Sequence, residues 1–267
     1  MSGKFTHLAE VGSTNDWLLA RARDLQDGHW VVADRQTAGR GRRGRAWGDG
    51  TGNLMASVLV RSVGPVQQLS FVAALALREA LIGSSGELVC QPGRDQEPGV
   101  LSARNQGNRA GGRARDDNKK ATARYALKWP NDVLLDGAKV SGILLERADD
   151  ALVIGFGVNL AMHPANTERP ATSLAAAGLT VPAPLTVLVR LMSAFAAGRA
   201  LWEAQGFVPI RDNWLAHAAG VGDRIAARLG TNTLEGRFEG LGDDGALALR
   251  LDDGQLRPVH AGEVFAL

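Results

Sequence analysis

Between residues 36 and 47 the chain reads QTAGRGRRGRAW. Arg40, Arg42, Arg43 and Arg45 crowd into this run, with Gly39, Gly41 and Gly44 between them. Glycine lets backbone amides approach a ligand closely and adopts φ > 0 without strain. Guanidinium groups about 6 Å apart repel by about 0.7 kcal/mol per pair in water. The run therefore reads as a loop that stays mobile until a polyanion neutralises it. A nucleoside triphosphate is the obvious candidate, and the flanking chain has to present the loop to it.

Two familiar phosphate motifs can be set aside. Gly39, Gly41 and Gly44 match the letters of the dinucleotide fingerprint, which must open a helix and be followed by an acid about 20 residues on. Here glycines continue at Gly48, Gly50 and Gly52, and an acid-free strand follows. Gly39 to Gly44 also has the glycine spacing of a Walker A loop, but Arg45-Ala46 replaces the required Lys-Ser/Thr. From the loop alone, an arginine-rich nucleic-acid patch and a plain solvated basic turn both stay open.

Charge narrows the choice. Of the 267 residues, 45% are hydrophobic, enough for a core, and the formal net charge is +2. Residues 91–124 hold eight basic and four acidic residues, so the remaining 22 basic and 24 acidic residues leave the body at −2. The body is thus no general polyanion binder. Cys90 is the only cysteine, which excludes an intrachain disulfide framework and fits a reducing, cytoplasmic setting. The N-terminal residues contain no apolar h-region. Apolar runs such as residues 71–77 are short of a membrane span, so no membrane association is expected. The five histidines are isolated, and no structural metal is expected.

Local patterns outline the fold. Residues 5–11 read as a strand, and Ser13-Thr14-Asn15-Asp16 as a capping box opening a helix to about residue 24, which buries Trp17, Leu18, Ala22 and Leu25. Ser13 and Thr14 either present hydroxyls at the helix N-terminus or only cap it. A strand over 30–36 delivers Gln36 and the arginine loop, and 54–61 should pair next to it. Residues 67–82 read as a buried helix. Residues 91–124 are polar, rich in glycine and proline, and read as a disordered insertion, either a basic arm or a tolerated loop expansion. Strands follow at 125–128, 133–135, 139–147 and 151–159, with Trp129-Pro130-Asn131-Asp132 after the first and an Asp136-Gly137 hairpin. A helix over 185–206 turns Leu188, Leu191, Met192, Phe195 and Trp202 inward and Arg190, Arg199 and Glu203 outward. From about residue 220, alternation at Ile225, Ala227 and Leu229 and at Leu247, Leu249 and Leu251, with Asp-Gly turns, predicts a small β-barrel-like domain.

Lys128 and Lys139 flank a Pro-Asn-Asp turn. With the arginine loop they supply cations for phosphates, amides for a polar ligand and one carboxylate, Asp132. That inventory suits activation of a carboxylate by a nucleotide. No histidine sits near a Gly-x-Ser-x-Gly elbow, so a Ser-His-Asp hydrolase is not indicated.

The segments STN (13–15), QTAGRGRRGRAW (36–47), KWPNDVLL (128–135), KVSGILLE (139–146) and VIGFGVNL (153–160) together resemble the biotin protein ligases, in order and spacing, over nearly the whole chain outside 91–124. The resemblance implies an α+β fold. A mixed sheet with flanking helices, like that of class II aminoacyl-tRNA synthetases, forms a catalytic domain over 1–219, and 220–267 forms a small SH3-like domain. It implies that biotin and ATP, with Mg2+, give biotinyl-AMP and pyrophosphate. A lysine of the biotin carboxyl carrier subunit of acetyl-CoA carboxylase then takes the biotinyl group. A carboxylate resists nucleophiles because attack adds charge to an anion, so activation must precede transfer.

The resemblance also assigns roles. Ser13, Thr14, Asn15 and Gln36, with backbone near Gly39 and Arg40, would bind the biotin ureido ring. Arg42 and Arg45 would hold phosphates, Trp47 would close over adenine, and Asn131 and Asn159 would serve the nucleotide. Lys139 would bridge the biotin carboxylate and the α-phosphate. Asp132 would orient the acceptor amine, and Gly142 would give the substrate room. Some relatives carry an N-terminal winged-helix domain. Here STN begins at residue 13, so sequence-specific DNA binding is not expected. A homodimer stays open. The rival enzyme is a lipoate ligase, and the rival of another class is a nucleic-acid-binding protein.

Overall fold

A computed structural model of the chain describes residues 5–48, 50–61, 64–84, 124–148, 150–165 and 167–267. Its larger sheet has seven strands: β1 (Phe5–Val11), β2 (Trp30–Gln36), β3 (Leu54–Val60), β4 (Tyr125–Lys128), β5 (Asp132–Leu135), β6 (Ala138–Ala148) and β7 (Ala151–Val158). The order is β1-β2-β3-β7-β6-β5-β4, with β1 and β2 parallel and every other pairing antiparallel. This is the mixed sheet expected. Asp136 (φ 50) and Gly137 (φ 80) both take positive φ, the conformation of the two-residue turn anticipated between β5 and β6.

Helices cover both faces. α2 (Leu69–Ser84) and α3 (Pro184–Gln205) pack on one face, where Trp30, Phe156 and Phe195 form an aromatic cluster with ring centroids 5.6–6.3 Å apart. α1 (Thr14–Leu19) covers part of the other, closing a smaller core of Leu18, Ala22, Val31, Leu59, Ala151 and Val153. β3 is buried along its whole length because both faces are covered. α1 is shorter than expected. After Leu19 the chain continues in turns, which bury Ala22 but leave Trp17 and Leu25 half-buried.

α3 departs from the outward placement expected for two of its arginines. Arg190 donates to the Gly83 carbonyl, and Arg199 is tied to Asp27 (2.8 Å) and Glu203 (2.7 Å) and to the Arg61 carbonyl. Segments spanning α2 and α3 are each long and apolar enough to cross a membrane. Contiguous apolar runs understated this, because isolated charges such as Arg78 and Arg190 interrupt them. Within the fold the two helices pack on each other and on the sheet.

After α4 (Val208–Leu215) come β8 (Arg224–Leu229), β9 (Asn232–Leu241), β10 (Leu247–Arg250), β11 (Leu256–Val259) and β12 (Glu263–Ala266), a five-stranded antiparallel sheet in the order β11-β10-β9-β8-β12. Ile225, Ala227, Leu247 and Leu249 point inward, as their alternation predicted. This sheet does not stand apart. Its core joins the main core, a Cβ on Gly245 would lie 2.6 Å from the Phe71 ring, and Gln68 and Trp129 donate to the Asp243 and Gly245 carbonyls. The insertion expected over 91–124 lies outside the described residues except for Arg124. Arg124 belongs to the fold: it pairs with Asp136 at 2.6 Å and donates to the Ala177 carbonyl.

Candidate functional site

β7 alternates in a way that creates the site. On the α1 side of the sheet its residues are Ala151, Val153, Gly155 and Gly157, and α1 covers the first two. The two glycines leave a hollow. A Cβ at Gly155 would collide with the Asn15 amide, and one at Gly157 with the Trp47 ring. Opposite them, Gly142 of β6 pairs with Gly157 and is itself 3.4 Å, at a built Cβ, from Trp47. The resulting cavity is about 460 Å³ and receives α1, the arginine loop, β5 to β7, the segment after β7 and the start of β12.

One end of the cavity is polar and buried. Thr14 donates from its backbone N (2.7 Å) and its Oγ1 (3.0 Å) to Gln36 Oε1, so the Nε2 end is what Gln36 can offer a ligand. Ser13 caps α1 with its Oγ 3.5 Å from the Asp16 amide, a weak contact, and is buried beside the cavity. Asn15 also lines the cavity, but its amide is committed. Ser57 Oγ lies 2.6 Å from its Oδ1, and its Nδ2 donates to Glu146 at 2.7 Å. Glu146 also takes Arg40, whose guanidinium grips Asp16 at 2.5 and 2.6 Å. These hydrogen bonds, Asp16's first, raise the Arg40 pKa further and hold the Asp16 carboxyl below its usual range. Asn15 and the Arg40 side chain therefore act as struts of this wall. Gly39 does not line the cavity; it packs behind it, against Gln36 and the Trp47 carbonyl.

The other end is cationic. Lys139 Nζ lies 2.7 Å from Asp132 Oδ1 and 5.9 Å from the centre of the Trp47 ring. Arg42 donates to Asn131 Oδ1 (3.2 Å) and to the Gly262 carbonyl (3.1 Å). Arg45 pairs with Glu168 (3.1 Å) and Glu263 (3.3 Å). Asn159 lines the floor and donates to the Thr172 carbonyl. Lys128, the last residue of β4, feels the charges of this end. Burial, then the charge of Arg169, pushes its pKa down to about 8 against the pull of Asp132.

The arginine loop is a hairpin. Gly41 N donates to the Arg45 carbonyl (2.7 Å) and Trp47 N to the Gly39 carbonyl (2.8 Å), around one turn of 3-10 helix at Arg42–Gly44. Within it Asp16, Glu146, Glu168 and Glu263 neutralise Arg40 and Arg45, partners that the loop's own sequence does not show. Sequence reasoning also missed Arg169, Glu168 and Glu263, all of which line the cavity. The first two lie in an aperiodic connection after β7, and Glu263 is close to the end of the chain. No local pattern marks any of them.

In sum of chemistry, the cavity can hold a small polar head by hydrogen bonds and an anion chain by charge. The Biotin/lipoate A/B protein ligase family matches residues 8–159, and the Biotin protein ligase C terminal domain matches residues 220–267. A biotin–[acetyl-CoA-carboxylase] ligase of Paracoccus denitrificans is 41% identical over 97% of this chain and 98% of its own length. One from Mycobacterium tuberculosis is 32% identical over 97% and 88%. The fold superposes on the biotin protein ligase of Aquifex aeolicus in complex with biotin and ATP with a TM-score of 0.75, 24% identity, and 99% of each chain covered. With a polar pocket beside a cluster of cations, and sequence likeness along nearly its whole length, the chain belongs to the Biotin/lipoate A/B protein ligase family.

Proposed function

We propose that this chain activates biotin with ATP and transfers it to a lysine of the biotin carboxyl carrier subunit of acetyl-CoA carboxylase. The observation that carries this reading is the placement of the Ser13, Thr14 and Gln36 set and the Lys139, Arg42 and Arg45 set in one cavity. A volume of about 460 Å³ is within the range of small-molecule sites.

Biotin's ureido ring sits at the Thr14–Gln36 end, where a ligand lacking those polar groups leaves buried atoms unpaired. Its carboxylate then points toward Lys139. In the first step a carboxylate oxygen attacks the α-phosphorus of ATP and the bond to pyrophosphate breaks. Lys139 neutralises charge gathering between the two anions, and Arg42 and Arg45 hold the phosphates. Trp47, already lying over Gly142 and Gly157, closes over the nucleotide base. Asn131 and Asn159 shape the nucleotide side. In the second step the acceptor amine attacks the acyl carbonyl and AMP leaves, with Asp132 orienting the amine and accepting the proton it gives up. Mg2+ enters on the triphosphate as part of the substrate. Among the described residues no group of three His, Cys, Asp or Glu could hold a resident ion.

The test is ATP–pyrophosphate exchange with biotin, with lipoate and with no acid. Exchange that requires biotin supports the reading, and exchange driven by lipoate replaces it with the rival ligase. The nucleic-acid reading is disfavoured because the residues outside 91–124 carry a net charge of −2.

A further inference from the structure

Arg169 enters the cavity from the segment after β7. Its Nη2 lies 3.6 Å from Glu263 Oε2, beyond hydrogen-bond reach, and its guanidinium carbon sits 3.9 Å above the centre of the Phe265 ring. Nε and Nη2 are buried with no hydrogen-bond partner among the described residues. A buried guanidinium nitrogen without a partner is costly, and each such group calls for an explanation. Arg45, from the arginine loop, is held by the same Glu263 and by Glu168. Two arginines on a reactive cavity thus share one carboxylate, and that carboxylate comes from β12 of the C-terminal sheet.

Carboxylates and phosphates are interchangeable partners for a guanidinium fork, and a phosphate chain carries more charge and more acceptor oxygens. A phosphate between Arg45 and Arg169 would fill the open donors of Arg169. It would also repel Glu263, since both are anions at close range.

We propose that Arg169 is a further phosphate-binding residue for the triphosphate, and that Glu263 stands in for the phosphate between Arg45 and Arg169 until ATP displaces it. This rests on the reading of the cavity as the ATP site. It makes nucleotide affinity the outcome of a competition inside the protein. Arg169 adds attraction for the incoming chain, and Glu263 subtracts from it while holding the two arginines near the position they will need. The C-terminal sheet thereby contributes to nucleotide selection through one side chain.

The two partners predict changes of opposite sign. In biotin-dependent exchange, R169Q raises the KM for ATP about tenfold or more and leaves the KM for biotin within about twofold. E263Q lowers the KM for ATP severalfold, because the arginines lose their competitor but keep their charge. A residue pair that merely tied the domains together would give increases, or no change, for both. Any pattern in which E263Q fails to lower the KM for ATP overturns the proposal, as does an R169Q enzyme with unchanged KM. If R169Q does not fold, the sign of the E263Q change decides alone. If the wild-type protein shows no biotin-dependent exchange, the functional reading fails instead, and direct binding of ATP to wild type and E263Q by calorimetry still tests the competition.

Discussion

Lys139 Nζ and Asp132 Oδ1 are 2.7 Å apart, across the β5–β6 hairpin and at the cationic end of the cavity. The register explains the meeting: Asp132 pairs with Gly142, and a shift between Val133 and Leu134 brings Lys139 opposite Leu134. The pair joins the two residues proposed for the two half-reactions. Lys139 is proposed as the cation for the α-phosphate, and Asp132 as the carboxylate for the acceptor amine. Their contact keeps each charge neutralised until a substrate takes its place.

Lys139→Ala is therefore expected to lower biotin-dependent pyrophosphate exchange by about a hundredfold or more, since removing a positioned charge at a developing anion costs several kcal/mol. Asp132→Asn should spare exchange to within about tenfold and reduce transfer to the acceptor more. Single-turnover measurement of each half-reaction separates them. Equal losses in both halves for Asp132→Asn would place Asp132 with the phosphates.

Much of this arrangement was legible in the sequence, for a physical reason. Short apolar runs bounded by Asp-Gly turns declare strands locally, so β5 to β7, β8 and β10 fell within a residue or two of expectation. The run VIGFGVNL even encodes the hollow, because Gly155 and Gly157 are two apart and share a face while Ile154 and Phe156 fill the core on the other. What was not legible depends on tertiary contact. Arg169 and Glu263 are distant in sequence, and nothing local to either shows that they meet. Asn15 looked like a ligand group, and only the contacts with Ser57 and Glu146 show its amide already committed. The arginine loop looked unstable alone because its carboxylate partners are scattered from Asp16 to Glu263.

The glycines of β7 give a second expectation. Gly155→Val would drive a side chain into the Asn15 amide, which holds Ser57 and Glu146 in place. The wall carrying Thr14 and Gln36 would shift, and the KM for biotin should rise at least about tenfold, as expected when buried polar partners are misplaced. Gly157→Val meets the Trp47 ring instead and should act first on ATP. Steady-state kinetics with each substrate varied in turn checks the split. A common effect on both constants would mean the strand as a whole had moved.

Thr14 and Gln36 make a sharper test of the polar end. Thr14→Val removes the hydroxyl that donates to Gln36 Oε1 but leaves the backbone donor. The cost of one lost buried partner is about 1–3 kcal/mol, so biotin binding should weaken by about ten- to a hundredfold with ATP binding unchanged. Isothermal titration with biotin alone measures this. Unaltered affinity would mean that Gln36 does not face the ligand.

Lys128 provides the pH signature. Its folded pKa, about 8, lies below the ordinary 10.5 because burial and Arg169 disfavour the charged form. Below about pH 8 the residue is charged in both folded and unfolded chains, and the full penalty of burying that charge is present. Between the two values the folded protein gives up the proton first, so the unfolded state binds more protons and stability rises with pH. Lys128→Met keeps most of the volume and removes the charge. It should raise Tm most near neutral pH, with the advantage shrinking as pH climbs through 8 toward 10.5. Thermal melts of both proteins across that window decide it. A gain in Tm that is flat with pH would mean that the substitution improves packing rather than relieving a buried charge.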